Sequence, residues 1–78
     1  MTEQQIQAKR IKQFEAEGYY VIKLVKTNKN GIPDLLAIPR GSNVIFSEVK
    51  TASGRLSKLQ EFRLKELKDY ATTEVYRG

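Results

Sequence analysis

The 78-residue chain has no cysteine and no histidine. Those two absences remove disulfides, thiol nucleophiles, zinc fingers and Ser-His-Asp triads together. Any catalysis must then come from carboxylates, lysine and a hard metal ion. No apolar run approaches the roughly 20 residues of a membrane span, and the N-terminus is polar and amphipathic rather than signal-like, so no membrane association is expected and the default compartment is the cytoplasm. Repeats, low-complexity tracts and linkers are also missing, and residues 1–78 read as one domain. At this size the hydrophobic core is small, which makes a homodimer sharing a surface an expectation. What the chain does have is positive charge: 14 Lys and Arg against 9 Asp and Glu, a net +5. That balance suits a phosphate-rich partner.

The pattern of residues predicts an αβββαβ order. Thr2-Glu3-Gln4-Gln5 has the form of a capping box and opens a helix that runs to about Glu17, with Gly18 as its stop. At about 100° per residue, Ile6, Ile11 and Phe14 share one face of this helix with Ala8 at its margin, and Glu3 projects on the same face. Tyr19 to Val25 is rich in β-branched and aromatic residues and predicts a strand, followed by a polar, basic loop from Lys26 to Gly31. Asp34 to Ile38 and Val44 to Lys50 predict a β-hairpin turning at Pro39–Asn43. A second capping box, Ser57-Lys58-Leu59-Gln60, opens a helix carrying Leu59, Phe62, Leu67 and Tyr70, and Thr72 to Arg77 predicts a last strand. The fold class is α/β, a small mixed sheet flanked by helices.

If Ile38 pairs with Val44 or Ile45, Asp34 lies opposite Glu48 or Val49. Side chains alternate along a strand, so Val44, Phe46, Glu48 and Lys50 share one face and Ile45, Ser47 and Val49 the other. Opposed residues in an antiparallel pair have Cβ atoms about 4.5–5.5 Å apart, and two carboxylates that close repel unless a cation lies between them. Mg²⁺ commonly takes one or two carboxylates and keeps several waters; the Val49 carbonyl, between Glu48 and Lys50, is a candidate third ligand. Such an ion polarises a phosphate and lowers the pKa of a bound water without any histidine. The Lys50 ammonium is placed to orient that water or to offset charge on the phosphate oxygens. Hydrolysis of a phosphodiester fits these parts.

The run Gly31-Ile32-Pro33-Asp34, thirteen residues, then Glu48-Val49-Lys50 resembles the PD-(D/E)XK nuclease signature. With Gly54-Arg55-Leu56-Ser57 and Gln60 at a helix start, the chain is similar to the virus-type replication-repair nuclease (VRR-NUC) family over most of its length. The resemblance implies a restriction-endonuclease-like core that binds Mg²⁺ or Mn²⁺ through Asp34 and Glu48, is assisted by Lys50 and supported by Gln60. It also implies a structure-selective endonuclease acting as a homodimer on branched DNA such as Holliday junctions, in a bacterial or phage-infected cell. Glu3 stands where resolvase-like relatives carry an acidic residue on the first helix. One departure is the turn Lys68-Asp69-Tyr70-Ala71, which lacks the expected glycine.

Arg55 and Lys58 follow the motif at a loop and helix start, where positive charge and backbone N–H groups suit a phosphate of the cut strand. Lys23, Lys26 and Lys29 precede Asp34 and are candidates for the flanking duplex. Arg63, Lys65 and Lys68 read as a solvated helix face, and Tyr19 and Tyr20 as core or dimer-interface residues. Two other functions share the same residues: a non-catalytic DNA-binding module, and a nuclease subunit of a larger phage replication or packaging complex. Intact Asp34, Glu48 and Lys50 argue against the silent module.

Overall fold

Both helices start where the sequence supplies a cap. In the computed structural model, which describes residues 1–78, α1 spans Glu3–Ala16 and α2 spans Lys58–Leu67. Thr2 accepts from the Gln5 backbone while the Gln5 side-chain carbonyl accepts from the Thr2 N–H, and Ser57 and Gln60 repeat the exchange at α2. Each pair satisfies two N–H groups that a helix start otherwise leaves without partners. The end of α1 is equally local. Tyr19 N–H donates to the Phe14 carbonyl and Gly18 N–H to that of Glu15, both at 3.0 Å, with Gly18 at φ +90°. This is a Schellman stop, and its usual apolar contact is present as the Phe14 and Tyr19 rings, 5.1 Å apart.

Between the helices lie β1 (Tyr20–Lys23), β2 (Leu35–Ile38) and β3 (Ile45–Lys50), with β4 (Thr72–Arg77) after α2. The order αβββαβ is the one expected from the sequence. The four strands form one mixed sheet in the order β1-β2-β3-β4. β1 and β2 are antiparallel, as are β2 and β3 with Leu35 opposite Ser47, whereas β4 runs parallel to β3 with Val75 beside Glu48. A parallel neighbour needs a crossover, and α2 provides it.

The alternation of side chains gives the two faces to the two helices. Ile6 of α1 packs with Leu35 and Val49, joined at the margin by Ile11 and Tyr76; α2 lies over the Glu48 face, which it reaches through Gln60. The α1 face also holds a polar tie. Arg10 donates to both Glu74 carboxylate oxygens, at 3.0 and 2.8 Å, and its guanidinium stacks between Phe14 and Tyr76, 4.1 and 4.6 Å from their centroids. The Ser47 hydroxyl donates to the same carboxylate, so buried Ser47 keeps a partner.

Several expectations about packing need correction. The first strand stops at Lys23 rather than Val25, and Val25 is exposed. Ala8 faces solvent while Gln7 is buried. α2 ends at Leu67, so Tyr70 is outside it and exposed, as are Leu59 and Phe62. Leu64, four residues after Gln60, is the buried residue of this helix. The turn at Asp69–Ala71 closes without a glycine: Tyr70 and Ala71 N–H groups donate to the Leu67 carbonyl, both at 2.9 Å, and no residue other than glycine has positive φ. No helix is long and apolar enough to cross a membrane.

The two sides of α2 separate in urea denaturation. Leu64→Ala is expected to cost about 2–4 kcal/mol through transfer and cavity terms, whereas Phe62→Ala, at a half-exposed position, should cost less than about 1 kcal/mol.

Candidate active site

The site forms where the hairpin ends. Asp34 precedes β2, one step beyond the Leu35–Ser47 pair, which puts it level with Glu48. Its position is fixed twice: the Leu24 N–H donates to its backbone carbonyl at 2.8 Å, and the Val49 N–H donates to its carboxylate at 2.9 Å. One carboxylate oxygen therefore satisfies a strand amide and the side chain is held toward β3. Buried Pro33 precedes it, and Gly31, at φ +78°, turns the loop into the motif.

Glu48 is only 2 % exposed. Burial pushes its pKa from 4.5 up to about 8, helped by the charge of Asp34 and a hydrogen bond with it, and by Glu3; Lys50 acts in the opposite sense. The Lys50 ammonium is 3.9 Å from the Glu48 carboxylate. The Gln60 amide donates to that same oxygen at 3.3 Å while its carbonyl accepts from the Ser57 N–H at 2.9 Å. One side chain thus caps α2 and reaches Glu48, so the capping role and the role beside the carboxylate coexist.

The fold brings Asp34, Glu48, Lys50 and Gln60 together, with Glu3 on the exposed first turn of α1 adding to the negative field. No three Asp or Glu side chains converge into a cage made of side chains alone. Two carboxylates with the adjacent backbone would fit Mg²⁺ better than a softer ion. Arg55 and Lys58 are exposed at the loop after β3 and the start of α2, and Lys26 and Lys29 are exposed on the loop after β1. The β1 loop and the start of α2 meet, since a Cβ on Gly31 would stand 2.7 Å from the Leu59 side chain.

Two residues near the site have roles that the sequence pattern does not reveal. Arg63, expected on a solvated face, is instead mostly covered; it donates to the Asn30 carbonyl at 2.9 Å and pairs with Glu66 at 3.2 Å. Arg77 donates to the Thr51 and Gly54 carbonyls and ties down the loop that carries Arg55. Neither has a local signature, because each pairs with backbone more than twenty residues away.

A four-stranded mixed sheet between two helices, with Asp34, Glu48 and Lys50 at the end of its hairpin, defines a small α/β domain. The family model described as the VRR-NUC domain matches residues 2–78, and the chain belongs to that family. A solved structure titled "VRR_NUC domain" aligns with a TM-score of 0.84 and 31 % identity, over 97 % of this chain and 83 % of that one. Among curated proteins none matches significantly. A family of nuclease domains implies DNA as the substrate.

The raised Glu48 pKa has a measurable consequence. A folded form that keeps a proton the unfolded chain releases has its full stability below about pH 4.5 and loses it as pH rises toward about 8. Denaturation of metal-free protein should show this decline, on the order of a few kcal/mol. Glu48→Gln, which cannot ionise, should lack most of it.

Proposed function

We propose that this chain is a divalent-metal-dependent, structure-selective DNA endonuclease that works as a homodimer on branched DNA. The observation that carries the reading is the Glu48 carboxylate, almost fully buried beside Asp34 and held by Lys50 and Gln60. Such a pair is unfavourable alone and becomes favourable around a cation. Asp34 and Glu48 would hold Mg²⁺ or Mn²⁺ with the Val49 carbonyl as a third protein donor. The bound ion would supply polarisation of the scissile phosphate and a more acidic water.

The remaining parts follow from the chain itself. Lys50, with its side chain 12 % exposed, stands beside Glu48, where its ammonium would offset charge growing on the phosphate oxygens and orient the attacking water. Gln60 keeps the Glu48 carboxylate in one orientation, and Glu3 contributes further negative potential from the rim. Arg55 and Lys58 grip the strand being cut, and Lys26 and Lys29 hold the flanking duplex, as their exposure allows. The dimer is supported by a small core together with exposed Leu59, Phe62 and Val75 on α2 and β4. Two sites at a fixed separation would select DNA by shape.

Cleavage of labelled four-way junction, flap and linear duplex with Mg²⁺ or Mn²⁺ tests this. The wild type should cut the junction symmetrically, Asp34→Ala should lose at least about 10³-fold in rate, and Lys50→Ala about 10²–10³-fold. Binding without cutting under either metal would overturn the catalytic reading. Sedimentation at assay concentration should give a dimer; a strict monomer removes the paired-cut arrangement.

A further inference from the structure

We infer that Arg63 is a positioning residue: it locks the loop leading to Asp34 onto α2, and so fixes how that loop meets Glu48. The inference rests on the hydrolytic reading above for its consequence in catalysis, though not for its geometry.

The loop from Lys26 to Pro33 belongs to no helix or strand, so its backbone groups need partners from elsewhere or from water. The Asn30 carbonyl takes its partner from Arg63, whose Nε–H donates to it at 2.9 Å. The guanidinium is itself held, because Nη1 donates to Glu66 at 3.2 Å and the Arg63 side chain is only 18 % exposed. One turn earlier on the same helix, Leu59 packs so closely against Gly31 that an added Cβ would lie 2.7 Å from its Cγ. Gln60, between these two, donates to Glu48.

Residues 59, 60 and 63 of one helix therefore touch both acid-bearing segments. Leu59 and Arg63 hold the loop, and Gln60 holds the strand. The loop has only Ile32 and Pro33 between Gly31 and Asp34, so a shift at Asn30 is carried into Asp34 with little slack. A rigid helix sets the spacing more tightly than the loop could alone, which is the demand a two-carboxylate site makes. Contact with a DNA phosphate, the alternative role for a covered arginine, would have to use the remaining N–H groups on Nη1 and Nη2, because Nε is engaged with Asn30 and Nη1 with Glu66.

Two substitutions separate these roles. Arg63→Met keeps the aliphatic stem and removes donor and charge; Arg63→Gln places an amide N–H at the same bond count from the backbone as Nε, keeping the donor without the charge. In metal-free protein, hydrogen exchange of the peptide spanning Asn30 to Leu35 should quicken about fivefold or more in Arg63→Met, as expected for one lost hydrogen bond, and much less in Arg63→Gln. With DNA, Arg63→Met should lower kcat roughly 10- to 100-fold with KM nearly unchanged, the size of effect that misplaced groups produce, and weaken Mn²⁺ binding in calorimetry; Arg63→Gln should restore most of both. Unchanged exchange in Arg63→Met overturns the inference whatever the activity. Equal losses in both variants with raised KM and a shallower salt dependence overturn it in favour of phosphate binding. A wild type that cuts nothing under either metal defeats the hydrolytic reading, while the exchange result still decides the position of the loop.

Discussion

Glu48 places a carboxylate almost out of water beside a second carboxylate, and an unpaired charge in that position would cost several kcal/mol. Each neighbouring group answers that constraint. Lys50 supplies opposite charge from the same strand face, Gln60 supplies a neutral donor, and the Asp34 carboxylate is turned to the Val49 N–H, which limits its freedom to move away. Burial and the neighbouring Asp34 push the Glu48 pKa up to about 8, which favours its protonated form.

The peripheral charge has the opposite sign. Arg55 and Lys58 stand on one loop and helix start, and Lys26 and Lys29 on the loop that meets α2. Exposed positive charge on these segments is the kind of surface that raises the local concentration of a polyanion. This is also why the net +5 of the chain is a poor guide to the chemistry by itself. It reports the exposed lysines and arginines, whereas the paired acids Asp34 and Glu48 are concealed in the total.

Features set by near neighbours in the chain are legible in the sequence alone. Both capping boxes and the glycine stop of α1 are local, and each forms at the residues whose pattern predicts it. The level of Asp34 with Glu48 follows from hairpin register, and the shared face of Glu48 and Lys50 from strand alternation. The illegible features are those that depend on distant partners. Arg10 with Glu74 and Ser47, Arg63 with Asn30, and Arg77 with the loop after β3 look like ordinary surface residues in the sequence. The face of α2 departs from its pattern for a related reason. Leu59, Phe62 and Tyr70 have a helical spacing, but Tyr70 lies beyond the end of the helix, Leu59 packs on the Gly31 loop while staying partly exposed, and Leu64 is the residue that is buried.

Gln60 shows how so small a domain makes one element serve two purposes. Its carbonyl closes the α2 capping box while its amide reaches Glu48, so the first turn of the helix and the orientation of the buried acid are not independent. Only ten residues are buried, so little interior is left for a dedicated supporting layer. Fraying of the α2 start would therefore release the Glu48 partner and loosen the Gly31 loop packed on Leu59 at the same moment. Local helix stability, usually a matter of about 1 kcal/mol at a cap, becomes in this fold a determinant of the geometry of the site.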